Sequence, residues 1–292
     1  MMFPSTLVTF PHSSDTLTAT VLAVQPHADG IDIVTDITPF HPVSHIWPDQ
    51  PADKGELYYS GQTYPVTDCF TGVVEHATGQ LYVHHDIPVK RNESGWSFVV
   101  VHRIDHSDAN IACHDSVELS IDKEYQTSLS LAHTAEHLVS MALNKVLHEQ
   151  GYWRKEADRK DPLGHYHFHN YAQEASRITP YAALVSYRLG KTLRKRGLNT
   201  HEMMEDLTSI IEQVNAQLAL WIAHSGKIEL ICEGDTLTDS RYWQCYLQDD
   251  LVAKMPCGGT HATHLGEYKV ITASVIPHDS LHFELQTHVD VI

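Results

Sequence analysis

His133 and His137 stand four residues apart in the stretch Ser128 to Gln150, SLSLAHTAEHLVSMALNKVLHEQ. The stretch predicts a helix, and an i, i+4 pair lies on one helical face with one side chain above the other. Two imidazoles so placed can grip one metal ion, but a pair is not a complete site. About 120 residues later, MPCGGTHATHLGE carries Cys257 and His261, again four apart. The intervening Gly-Gly-Thr allows a tight bend, so that a thiolate and an imidazole from one short loop can converge. Three nitrogens and one sulfur suit a tetrahedral zinc ion, which is borderline-soft and imposes no geometry of its own. The plainer alternative puts both histidines on a helix surface and makes Cys257 a small buried apolar residue. The chain has 23 histidines, so spacing has to select among them.

His133-Thr-Ala-Glu-His137 also fits the H-x-x-E-H pattern of inverted zinc peptidases, in which the Glu acts as base. That chemistry needs a further acidic ligand downstream, for which Glu202, Glu205 and Glu212 are available. It leaves Cys257 and His261 unexplained. Glu136 lies about 100° round the helix from His137 and is not assigned as base.

The elements that must position these residues read as follows. Residues 1 to about 122 look like β structure, with strands expected over 17–25, 31–37, 55–70 (two strands about Ser60-Gly61), 72–89 (a hairpin at Thr78-Gly79), 96–105 and 117–122. Short strands with turn signals between them suggest a small sandwich or barrel. Residues 38–57 hold four prolines and a glycine, which predicts a structured loop. Leu131, Ala135, Leu138, Ala142 and Val146 then recur at helical spacing, with His133, His137, Ser140 and Asn144 as a more polar neighbouring stripe. Residues 153–180 read as a long polar loop with a short helix. Further helices are expected over 181–196 and from Thr200, as N-cap, to about His224. Strands return at 227–234, 241–248, 268–276 and 280–289. Strands after a block of helices indicate an α+β domain with helices packed on an antiparallel sheet.

Length and composition bound the possibilities. A chain of 292 residues suggests two domains or one large one, since domains run to roughly 100–200 residues. No apolar run is long enough for a transmembrane helix, and the first residues lack the layout of a signal peptide. Five cysteines, an odd and sparse set, do not read as a disulfide framework. These features point to a cytoplasmic protein. The net charge of −17 argues against broad, nonspecific nucleic-acid binding, DNA included. Yet ten of the 20 Lys and Arg residues fall between 151 and 200. The run Arg188, Lys191, Arg194, Lys195, Arg196 is therefore either a solvated face or a local phosphate-binding one.

Taken together, His133-Thr-Ala-Glu-His137 and Cys257-Gly-Gly-Thr-His261 resemble the paired metal motifs of the alanyl-tRNA editing proteins, the AlaX family. These are free-standing relatives of the editing domain of alanyl-tRNA synthetase, a domain shared with threonyl-tRNA synthetase. Thr38-Pro-Phe-His-Pro and Asp49-Gln50-Pro51-Ala-Asp53-Lys-Gly55 resemble the family's glycine-rich loop, although His45-Ile-Trp-Pro-Asp49 stands where consecutive glycines are usual. The arginines usual before the first motif are replaced by Lys123-Glu-Tyr-Gln-Thr-Ser-Leu-Ser. The resemblance implies an N-terminal small β-barrel over 1–122 and a zinc-binding α+β editing domain over 123–292. It implies Zn2+ held by His133, His137, Cys257 and His261. It also implies deacylation, in trans, of tRNA(Ala) mischarged with serine or glycine. Recognising serine over alanine means rewarding one hydroxyl, for which Thr134, Thr260, Thr263 and Gln50 are candidates. The basic run from Arg188 to Arg196 becomes the candidate tRNA contact, and no membrane partner is expected. Two other functions fit the same residues: a zinc hydrolase of a small molecule or peptide, and a non-catalytic RNA-binding relative with a structural zinc.

Overall fold

The strand-rich first part of the chain and the helix-rich remainder form two separate units in a computed structural model, which describes residues 3–12, 15–27, 29–106 and 108–292. The first unit is Met1–Thr127 together with Cys232–Arg241, and the second is Ser128–Ile231 with Tyr242–Ile292. The division thus falls five residues past the expected 122, and a short later segment returns to the first unit.

The strands of the first unit are β1 (Leu7–Val8), β2 (Thr16–Pro26), β3 (Ile31–Thr35), β4 (Ile37–Thr38), β5 (Gly55–Tyr59), β6 (Gln62–Val66), β7 (Asp68–Glu75), β8 (Leu81–Val83), β9 (Trp96–Ile104) and β10 (Ser116–Ile121). Eight of them make one sheet in the order β6-β5-β10-β2-β3-β9-β7-β8, antiparallel at every pairing. The two-residue periodicity that marked the strands is the periodicity of burial: Val117, Leu119 and Ile121 of β10 are buried and their neighbours are not. The β5–β6 hairpin turns at Ser60 and Gly61, both at positive φ (50° and 84°), the twist-matched turn that two-residue hairpins favour.

Among the described residues the expected barrel is not found, because the hydrogen-bond ladder does not close. β6 and β8 are the two ends of the order. β6 nevertheless runs through the single residue Thr67 into β7, near the other end, so the sheet curls round without joining its edges. The loop 38–54 is held by its own polar groups. His41 N donates to Asp53 Oδ2 (2.8 Å), Asp53 N donates to the His41 carbonyl (2.9 Å), and Phe40 is fully buried beneath. The returning segment completes this unit: Val8 N donates to the Asp235 carbonyl (2.8 Å), and the Arg241 guanidinium lies 5.2 Å from the Phe10 ring centre.

Helix α1 (Lys123–Glu149) leads from the first unit into the second. Asp122 caps it by accepting from Tyr125 N (3.0 Å), and Gly151 at φ 78° follows its end. The remaining elements are α2 (Phe168–Ala172), β11 (Gln173–Thr179), β12 (Ala182–Arg188), α3 (Lys191–Lys195), α4 (Thr200–Glu205), α5 (Leu207–His224), β13 (Ile228–Cys232), β14 (Arg241–Gln248), β15 (Leu251–Pro256), β16 (Tyr268–Pro277) and β17 (His282–Val291). They form a four-stranded sheet, β11-β12-β17-β16, and a three-stranded one, β13-β14-β15. The second unit is therefore α+β with antiparallel pairing, as expected.

Three local expectations fail. The helix expected over 181–196 is β12 followed by the short α3. Ala183, Val185 and Tyr187 are buried and alternate with less buried neighbours, because β12 is clasped between β11 and β17 and sheet pairing overrides the helical tendency of Ala and Leu. The polar stretch 153–180 has the expected short helix, α2, and departs from expectation only in β11. The helix expected from Thr200 to His224 is two helices parted at Asp206, whose φ and ψ of −93° and 5° interrupt the helical run. Ser225, left-handed at φ 56°, ends α5. Gly226 answers a different need: a Cβ there would lie 1.7 Å from the Tyr246 carbonyl oxygen.

α5 packs its Ile210, Val214, Leu218 and Trp221 inward and places Asn215 against β16. Asn215 Nδ2 donates to the Ala273 carbonyl (2.9 Å) and Ala273 N donates back to Asn215 Oδ1 (2.7 Å). β16 is an end strand of its sheet, so one side chain satisfies a donor and an acceptor that the ladder leaves open. Among the described residues, no helix is long and apolar enough to cross a membrane.

Candidate metal centre

The centre is built on α1. From Ser128 to Asn144 every residue of this helix is buried except His137, which is half-buried. The polar stripe is therefore enclosed along with the apolar one, and enclosed polar groups need partners. Cys257 follows β15 directly, and His261 lies in the loop beyond it. His133 Nε2, His137 Nε2 and His261 Nε2 approach Cys257 Sγ to 3.5, 3.4 and 3.2 Å. The four ligand atoms all lie within 4.8 Å of one another, and the group could hold a metal ion. The four residues that the sequence pairs by spacing are thus brought together by the fold.

Each imidazole is also held from its outer side. Thr134 Oγ1 meets His261 Nδ1 (3.1 Å) and accepts from Ala262 N (3.1 Å). Glu136 Oε2 meets His137 Nδ1 (3.0 Å). His133 hydrogen-bonds to the Thr260 backbone. With Nδ1 engaged outward in His137 and His261, Nε2 is the nitrogen presented inward. Burial pushes the His137 pKa down to about 4. It lowers His133 well below its ordinary range too, with His137 adding and the Thr260 backbone opposing. Both rings are neutral at pH 7, which is the form that binds a metal.

His133 is buried, whereas His137, Cys257 and His261 are each partly exposed. Access to the centre is therefore on the side of these three. Trp243 of β14, fully buried, closes another side with its ring centre 5.3 Å from that of His137 and 6.0 Å from that of His261.

Gly258 is not forced by sterics to be glycine. Gly258 does not take a positive φ, and a Cβ added to it would meet nothing within 4 Å. β15, a strand the sequence reading misses, delivers Cys257 at its end. Glu136 has a contact that the sequence reading did not assign. Its position round the helix turns it away from the ligand face, and there its buried carboxylate reaches the outer nitrogen of the neighbouring His137.

The other expected residues are placed as follows. Thr134 is fully buried with its hydroxyl engaged as above. Thr260 is buried and accepts from Ser130 Oγ (2.7 Å). Thr263 is exposed and donates, by both N and Oγ1, to Glu267 (2.8 and 2.9 Å). Gln50 belongs to the first unit, buried in the loop, its N donating to Asp49 Oδ1 (2.9 Å). Arg188 pairs with Glu174 (3.4 Å), and Arg196 pairs with Asp158 (3.4 Å) and lies 4.7 Å from the Tyr171 ring centre. Lys191, Arg194 and Lys195 are exposed on α3, and among the described residues no acidic side chain forms an ion pair with them.

Sequence reasoning missed Glu136, Trp243 and the pair His169 and Tyr187 behind Glu136. Glu136 was visible in the motif itself. Trp243 carries no spacing signal, because only the sheet brings β14 to α1. No family model matches the chain.

Proposed function

We propose that the chain is a trans-acting aminoacyl-tRNA editing hydrolase that holds zinc through His133, His137, Cys257 and His261 and deacylates tRNA(Ala) carrying serine or glycine. The observation that carries the reading is the convergence of two distant motifs, each resembling its counterpart in the editing family, on one cluster of ligand atoms. The nitrogen–sulfur distances of the cluster are compatible with zinc. With Zn–S of about 2.3 Å and Zn–N of about 2.0 Å, sulfur and nitrogen in a tetrahedron sit roughly 3.5 Å apart. The three nitrogen–sulfur distances here are 3.2, 3.4 and 3.5 Å.

A bound zinc ion would supply Lewis-acid stabilisation of charge developing on the ester, or a hold on the amino or hydroxyl group of the substrate. The chain supplies the rest. Thr134, Glu136 and the Thr260 backbone fix the three rings, so no reorganisation is needed as charge develops. Trp243 excludes water from one side. Cys257 and His261 are partly exposed, the side from which the terminal nucleotide would approach. Lys191, Arg194 and Lys195 offer cations to the RNA backbone, in a chain whose net charge otherwise repels it.

A second reading keeps the metal and drops the chemistry, since four protein ligands complete a tetrahedral structural site. Serine-charged tRNA(Ala) incubated with the zinc-loaded protein separates the two. Release of serine above the uncatalysed rate is the expected result. Release at the background rate by protein with full metal content refutes hydrolysis and leaves a structural centre.

A further inference from the structure

On its outer side His137 meets a carboxylate. His261 meets a hydroxyl and His133 a peptide group. The bond at 3.0 Å engages His137 Nδ1 on the outer side and leaves Nε2 facing Cys257; with the carboxylate as acceptor, the proton sits on Nδ1 and the Nε2 lone pair faces the sulfur. The carboxylate is itself enclosed. Glu136 is buried, and its second oxygen, Oε1, is buried without a hydrogen-bond partner. Facing that oxygen at 3.7 Å, beyond hydrogen-bond range, is His169 Nδ1. His169 is anchored in turn by the Tyr187 hydroxyl (2.8 Å), and its own N donates to Asn144 Oδ1 (3.1 Å), which returns the chain of contacts to α1. A buried carboxylate with one bare oxygen is a costly arrangement. A solvated surface glutamate would need none of these neighbours.

We propose that Glu136 is the positioning residue of the centre, fixing His137 in the tautomer that presents Nε2, with His169, anchored by Tyr187, lying behind the carboxylate. The proposal rests on the four-residue cluster being a metal centre. Outer partners of ligating histidines orient the ring and raise its basicity, and their loss typically weakens metal affinity by ~10–100-fold. The distinctive claim is that the support of His137 is backed by two residues, at 169 and 187, that no motif marks.

The test uses the full chain, with cobalt(II) as the probe metal, because its visible spectrum reports coordination. Affinity is measured by competition with a chelator. The His137 tautomer is measured by nitrogen NMR on metal-free protein, and circular dichroism and thermal melting monitor the fold. Wild type is expected to bind one cobalt ion with a tetrahedral spectrum and to show protonated Nδ1. Glu136→Leu should lose the fixed tautomer and weaken binding by ~100-fold, whereas Glu136→Gln, which keeps an acceptor but no charge, should keep the tautomer and lose ~10-fold. Tyr187→Phe preserves packing and should lose less than Glu136→Gln. A folded Glu136→Leu protein with wild-type affinity and tautomer overturns the proposal. If Glu136→Leu does not fold, undiminished affinity in both Glu136→Gln and Tyr187→Phe overturns it equally. Wild type that binds no cobalt yet shows the fixed His137 tautomer refutes the metal reading and, with it, this role for Glu136, and the two failures are told apart by the tautomer.

Discussion

Asp53 offers a sharp test of how the loop in the first unit is held. Its Oδ2 accepts from His41 N (2.8 Å) and Gln126 Nε2 (2.7 Å), while its Oδ1 is buried without a hydrogen-bond partner. Burial raises its pKa from 3.8 to about 7, against the opposing pull of those two bonds and of Lys123. A carboxyl whose folded pKa is raised favours the folded state most when protonated. Its contribution is full below the unfolded pKa and is lost as pH rises towards the folded one. The shift from 3.8 to about 7 corresponds to roughly 4 kcal/mol over the whole window, of which roughly 2–3 kcal/mol falls between pH 5 and pH 8. Asp53→Asn keeps an oxygen for both donors and removes the ionisation. Urea unfolding of wild type and variant at pH 5 and pH 8, followed by tryptophan fluorescence, isolates the effect, because every other titrating group cancels in the difference. The variant should gain roughly 2–3 kcal/mol on wild type between the two pH values. A stability difference that does not change with pH would refute the reasoning: the carboxyl would then ionise freely, and the loop would not be a sealed environment.

Other perturbations address the second unit. His137→Ala and Cys257→Ala should each lower bound zinc, measured by elemental analysis, and lower deacylation in parallel. Full zinc retention in both would dissolve the four-ligand centre. Replacing Lys191, Arg194 and Lys195 by Gln should weaken tRNA binding and reduce the slope of log affinity against log salt by about 2, since single strands and duplexes lose roughly 0.7–0.9 per phosphate contact. An unchanged slope would return α3 to the solvated surface. Asn215→Leu strips partners from both Ala273 backbone groups and should destabilise the protein by roughly 1–3 kcal/mol per orphaned group, read as a lower midpoint in thermal unfolding.

The ligand set was legible because it lies in two short motifs whose spacing is meaningful within one turn of helix or one loop. Hairpins such as β5–β6 were legible for the same reason, since Ser60 and Gly61 carry their turn locally. What was not legible depends on partners distant in sequence. The segment 182–188 reads as helix by residue type and becomes a strand because β17, some 100 residues later, pairs with it. Barrel closure is a property of two sheet edges, and composition says nothing about whether they meet. Glu136 was set aside by an angle that is correct for the helix. The angle turns it away from the metal face, and on an enclosed helix that same turn leads to the back of the ligand rather than to water.

The return of Cys232–Arg241 to the first unit has a consequence for how the protein is made. A chain emerging from the ribosome presents residues up to Thr127 long before Asp235 is available to accept from Val8 N or Arg241 to cover Phe10. The N-terminal unit therefore waits, one piece short, while α1 to β13 are synthesised, and its last contacts form at the same stage as the approach of Cys257 to the helix that carries His133. A gene cut after residue 127 would not yield a shorter version of this unit but an unfinished one. A graft that keeps the unit whole has to carry the 232–241 segment across the gap, as a second strand of chain or as a permuted one.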